Sequence, residues 1–116
     1  MLSVEPGTTD MASLLQALAE PTRLQAVQLL SDRPHRAGEL ADKLGVSPPA
    51  MSKHLRVLLH AGVVTDERLP DDARARLFRL RPESVVAVRA WLDQLQAHWD
   101  EQLGSFQAHI ERRMKR

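Results

Sequence analysis

Apolar residues recur along this chain at two periods, one helical and one extended. Residues 1–8 show neither and are expected to form a flexible N-terminal tail. "TDMASLLQALAE" opens on an N-cap candidate, Thr9 or Asp10, and sets Leu14, Leu15 and Leu18 at helical spacing. Pro21 ends that run and suits the first turn of a second helix, "PTRLQAVQLL", with Leu24, Val27 and Leu30 on one face. "SDRPHR" reads as a turn. "AGELADKLG" predicts a short helix with Leu40, Ala41 and Leu44 inward and Gly45 as its stop.

The next segment, "GVSPPAMSKHLRVLLHAG", predicts a helix from about Pro48 to Ala61, closed by Gly62. Proline costs nothing in a first turn, because the first amides of a helix have no intrahelical acceptor. Ser47 is the cap, and since Pro49 has no N–H its hydroxyl must turn to the N–H of Ala50. The second proline disfavours helical geometry at Pro48, so a start at Pro49 is also open. At about 100° per residue, Met51, Leu55, Leu58 and Leu59 share one arc. Lys53, Arg56 and His60 lie opposite, Ser52 and Pro49 at the edge, and His54 on the flank. One side of this helix is built for packing and the other for contact with something anionic.

"VVTDERL" and "RARLFRL" alternate as strands and are joined by "PDDA", a turn of proline and aspartates. Phe78 and Leu80 face inward and Arg79 away, with Arg74 and Arg76 near the tip. Pro82 opens a last helix that continues past Gly104. Its stripe of Val88, Trp91, Leu95, Trp99, Phe106 and Ile110, with Leu92 and Leu103 beside it, has helix-packing spacing. It either pairs with a second copy, together with Leu14 and Leu18, or folds back on its own chain. The expected architecture is mainly α with a β-hairpin wing. A single winged helix-turn-helix domain spans 9–116 and includes a long C-terminal dimerisation helix, 82–116.

With 116 residues and 43% apolar content the chain suffices for one folded domain. No run is long enough to cross a membrane, and the N-terminus lacks a secretory pattern, so the cytoplasm is the expected location and no membrane partner is expected. The absence of cysteine excludes disulfides and thiolate chemistry. Net charge is +1. Between Ser47 and Arg81, however, Lys53, Arg56, Arg68, Arg74, Arg76, Arg79 and Arg81 outnumber Asp66, Glu67, Asp71 and Asp72. A cationic helix of this kind fits the major groove, with its N-terminal residues at base edges and a basic wing on phosphates or in the minor groove.

These segments together resemble the ArsR-type winged-helix regulators. "LAEPTRLQAVQLL", "AGELADKLGVSPPAMSKHLRVLLHAGVV" and "RARLFRL" carry the resemblance, over about Leu15 to Leu80. It implies a homodimeric, operator-binding regulator, usually a repressor released by an effector. By position, Pro48, Pro49, Ser52, Lys53 and His54 match the DNA-facing part of the family's recognition helix, and Arg74 and Arg76 match the wing. The cysteine pair of many metal-sensing members is missing from "GELADKLG", and Ala73 stands where the wing tip often has glycine. Some zinc-sensing relatives use two histidines on the last helix at the separation of His98 and His109. Here Gln96 and Arg112 stand where further ligands belong, which leaves Asp100, Glu101 and Glu111 as the oxygen donors from which the four ligands of a zinc site would have to be completed.

The reading is a sequence-specific regulator of double-stranded DNA, acting as a homodimeric repressor on an inverted repeat. Ser47, Pro48, Pro49, Ser52, Lys53, His54, Arg56, Arg74 and Arg76 are its DNA-facing set, and Leu14, Leu18, Trp91, Leu95, Trp99, Phe106 and Ile110 its dimer-interface set. It is expected to need no cofactor, and its effector is unnamed by the sequence. The alternatives are a histidine-based zinc- or nickel-responsive repressor of the same fold, and a winged helix used only for protein contacts. No cysteine nucleophile, phosphate loop or HExxH pair points to an enzyme.

Overall fold

Two short helices lead into the fold. Asp10 caps α1 (Met11–Ala19) by accepting from the Ala12 N–H at 3.2 Å and from the Ser13 hydroxyl at 2.7 Å. The computed structural model describes residues 10–114, with the side chains of Ala73 and Arg74 outside that set. The tail expected at 1–8 and the alternative cap Thr9 therefore lie outside the described residues. Glu20 sits between the helices in extended geometry and caps α2 (Pro21–Asp32) through the Arg23 N–H at 2.9 Å. Pro21, lacking an N–H, occupies the first position of α2, where no partner is lost.

Sequence periodicity misplaced one face of α2. Ala26 and Leu30 are buried there, while Leu24, expected inward, is 43% exposed. "SDRPHR" also holds more than a turn, since His35 and Arg36 form a two-residue strand, β1. It precedes α3 (Ala37–Leu44), in which Leu40 and Ala41 are buried. Gly45 ends α3 at φ 66°, left-handed geometry that glycine adopts without steric cost, and the Val46 N–H returns to the Ala41 carbonyl at 3.1 Å.

After α4 (Pro48–His60) the chain reverses at Gly62 (φ 77°), with the Val63 N–H bonded to the Leu58 carbonyl at 3.0 Å. β2 (Val64–Leu69) and β3 (Asp72–Leu80) follow. The sheet order is β1-β3-β2, all antiparallel, with His35 opposite Phe78 and Val64 opposite Leu80. The connection is tighter than "PDDA" suggested, because β3 already begins at Asp72. Register then jumps between Arg68, opposite Arg76, and Leu69, opposite Asp72, so the tip of the wing is irregular.

The chain divides into two compact units, Met1–Val85 and Val86–Arg116. In the first, α4 packs against α1, α2, α3 and β2. Leu14, Leu40, Met51, Leu55, Leu58, Val63, Val64 and Phe78 form the core of that layer. The second unit belongs to one helix, α5 (Pro82–Met114), which runs unbroken through Gly104. No helix of the described residues is long and apolar enough to cross a membrane.

Candidate nucleic-acid interface

α4 starts at Pro48, not at Pro49. Ser47 holds φ −70° and ψ 152°, its hydroxyl accepts from the Ala50 N–H at 3.3 Å, and its carbonyl accepts from the Met51 N–H at 2.9 Å. Both prolines thus occupy positions whose amides would have had no helical acceptor, and the helix begins in a stiff, fixed direction. Met51, Leu55 and Leu58 are buried and Leu59 half-buried. Ser47, Pro48, Pro49, Ser52, Lys53, Arg56 and His60 are exposed. Among the described residues, neither Lys53 nor Arg56 enters an ion pair, so both charges are available to an outside anion.

His54 also makes contacts within the body of the domain. It is half-buried against the α1–α2 junction, with Nδ1 3.7 Å from Glu20 Oε2 and 3.4 Å from an Arg23 guanidinium nitrogen. Arg23 also donates to the Ala17 carbonyl at 2.7 Å. The Arg23 backbone amide, together with the His54 and Arg23 charges, holds the Glu20 carboxyl below the usual carboxylate range. This cluster braces α4 against α1 and α2. His54 thus has partners in the body, one of them 31 residues away at Arg23.

On the wing, Phe78 is buried and Arg79 points out to Glu67 at 2.9 Å. Arg76 is half-exposed and 3.5 Å from Asp66. The Arg74 side chain lies outside the described residues. Below the wing, Arg33 pairs with Glu39, whose carboxyl that guanidinium holds below its ordinary range. Lys43 at 3.8 Å and the buried His35 Nε2 at 4.0 Å also face Glu39. Between α4 and β3 opens a cavity of about 480 Å³ into which Ser52, Arg56, His60 and Arg76 project.

This arrangement has known counterparts. The family described as "Bacterial regulatory protein, arsR family" matches residues 20–66, which run from the α2 cap through α4 into β2. The HTH-type transcriptional regulator Rv2034 of Mycobacterium tuberculosis is 45% identical over 78 residues, covering 67% of this chain and 70% of that protein. The chain belongs to the ArsR family. The HTH-type transcriptional repressor SmtB of the same organism is 45% identical over 75 residues, 65% of this chain and 53% of that protein, so this chain spans about half of SmtB. Among solved structures, an ArsR-like transcriptional regulator from Rhodococcus sp. RHA1 superposes with a TM-score of 0.74 at 27% identity, over 83% of this chain and 88% of that one. ArsR proteins are DNA-binding transcription regulators, and this chain is one of them, on a winged helix-turn-helix without cysteine.

The ArsR fold brings Ser52, Arg56 and Arg76 together at one cavity and leaves Lys53 exposed on α4. Of the expected dimer-interface set, Leu14 is fully buried in the core and has no surface to offer a partner. Leu18 is half-buried. On α5, Trp91, Leu95, Trp99, Phe106 and Ile110 are all exposed, Phe106 to 63%. His98 and His109 are exposed on the same helix, and no group of three metal-ligating side chains gathers among the described residues. Sequence reasoning missed the Glu20–Arg23–His54 brace and the strand β1. The signal for the first was Glu20 directly before Pro21, a cap placed where a second helix begins; two residues carry no period by which to find the second.

Proposed function

We propose that this ArsR-family chain is a homodimeric repressor that binds an inverted-repeat operator. α4 enters the major groove with Ser47, Pro48, Pro49, Ser52 and Lys53 nearest the base edges, and Arg56, Arg74 and Arg76 contact phosphates. His54 holds the helix at its angle. The observation that supports this best is the division of α4: Met51, Leu55 and Leu58 are buried in the body, while its outward side carries exposed cations that, among the described residues, enter no ion pair. Such a surface gains by releasing DNA counterions and loses little, since no internal bond must break first.

The dimer follows from α5. A helix whose Trp91, Leu95, Trp99, Phe106 and Ile110 are exposed along one stripe carries more apolar surface than a lone chain normally shows to water. Pairing with its copy covers that stripe and sets two α4 helices on one face of the duplex. Selection from a random-sequence duplex pool, followed by gel shift, tests the reading. The expected product is an inverted repeat with half-site centres roughly 34 Å apart or a multiple of that. Recovery of no DNA, or of a single asymmetric half-site bound by a monomer, would overturn it.

A further inference from the structure

The fold leaves a cavity whose lining asks for more than a DNA phosphate. It lies between α4 and β3, measures about 480 Å³, and falls within the roughly 300–1,000 Å³ typical of small-molecule sites. Arg56 and His60 reach it from α4 and Arg76 from β3, and no carboxylate lines it among the described residues. Asp66 Oδ2 lies 3.5 Å from Arg76 Nη1, and the guanidinium carries five N–H donors, more than one carboxylate needs. Ala37, Leu55, Leu59 and Phe78 form the apolar part of the wall, with Ala37 and Leu59 partly open and Leu55 and Phe78 buried behind them. A hollow lined by both guanidinium groups and hydrocarbon matches an anion that carries an apolar body.

Two other hollows lack this combination. The one of about 550 Å³ beside α3 has Glu39 and Asp42 among its cations, so its charge is self-compensated. The one of about 390 Å³ near α1 has only Arg23 as a full cation, and that guanidinium is already bonded to the Ala17 carbonyl.

We propose that the α4–β3 cavity binds a small organic anion, a carboxylate or phosphate monoester on an apolar body, and that its occupation releases DNA. The second half rests on the reading of α4 as the DNA-facing helix. Ser52 and Arg56 line the cavity and also lie on the exposed side of α4, so a ligand held by Arg56 competes with a backbone phosphate for the same guanidinium. A bare phosphodiester would use the cations and leave Leu59 and Phe78 idle. An organic anion uses both.

The test is a titration of the full chain, without DNA, with phenyl phosphate, inorganic phosphate and phenol, read by calorimetry and by amide chemical shifts. Phenyl phosphate is expected to bind roughly tenfold or more tightly than inorganic phosphate, because the ring is buried as well. Phenol is expected to bind far more weakly than phenyl phosphate. The shifts should concentrate at Ala37, Leu59 and Phe78, and Arg76→Gln should weaken binding about tenfold through loss of a charge-assisted pair. Ala37→Leu, which fills the rim of the cavity, should abolish ring binding with helical content unchanged. On a selected duplex, phenyl phosphate should raise the apparent DNA Kd of the parent chain and not that of Ala37→Leu.

Equal affinities for phenyl phosphate and inorganic phosphate would mean the cavity is only a seat for a DNA backbone phosphate, and would overturn the site. Absence of binding, or shifts confined to another surface, would do the same. Binding at the cavity without DNA release would overturn the regulatory half alone. Failure to select any duplex would count against the DNA reading, while the DNA-free titration would still decide the site.

Discussion

α4 and α5 are both amphipathic helices, yet they treat their apolar sides in opposite ways. α4 buries Met51, Leu55 and Leu58 within its own unit and leaves its polar side exposed. α5 leaves Trp91, Leu95, Trp99, Phe106 and Ile110 exposed along a stripe. The first helix has its packing satisfied in cis, so its free surface is available for chemistry. The second has packing still to be satisfied, and in the proposed dimer that packing comes from a second chain. The same sequence device, an apolar stripe at helical spacing, thus is buried in one place and left exposed in the other.

Substitutions on the two stripes separate these roles. Leu58→Ala should have the largest effect, lowering unfolding stability by about 2–5 kcal/mol in chemical denaturation, since it empties a fully buried site. Val57→Ala, one residue earlier and 41% exposed, should stay within about 0.5 kcal/mol. Trp99→Glu should leave the fold intact and weaken dimerisation by about 2 kcal/mol, roughly thirtyfold in Kd, read by sedimentation. An equal loss of stability from Trp99→Glu and Leu58→Ala would erase the contrast between the helices.

Smaller effects sharpen it. Ser47→Ala removes the hydroxyl that accepts from the Ala50 N–H and should cost about 1 kcal/mol of stability. The smallest effect concerns acid. Glu20 and Glu39 both have carboxyl groups held below their ordinary values in the folded chain. Their contribution is therefore present above the ordinary carboxylate range and is lost as pH falls through the lowered folded values. The stability difference between the parent chain and Glu39→Gln should be greatest near pH 7 and shrink as pH falls below the ordinary carboxylate range through the lowered folded value. A difference that grows on acidification would have the wrong sign for the Arg33–Glu39 pair.

Local rules made much of α4 legible in the sequence. Pro48 and Pro49 forced the Ser47 hydroxyl onto Ala50, Gly62 marked the stop, and the 3.6-residue period separated the buried from the exposed side. α2 was less legible because leucine occurs on several of its sides. The neighbouring elements approach where Ala26 lets them come close, and that choice belongs to tertiary packing. β1 escaped because a two-residue strand is defined by its partners in β3, more than forty positions on. The role of His54 escaped for the same reason: its neighbours Glu20 and Arg23 are adjacent only after folding. Burial of Leu14 likewise depends on the body closing around α1.

The central claim is that the outward side of α4 is the surface that meets DNA. The most direct measurement is the dependence of DNA affinity on salt concentration for the parent chain and for the Lys53→Ala/Arg56→Ala double variant, on the same selected duplex. The account predicts that the double variant, still folded and still dimeric, binds more weakly through loss of Lys53 at the base edges and loses about 1 unit per chain from the slope of log K against log salt, for the phosphate contact removed with Arg56. An unchanged affinity and slope would contradict it.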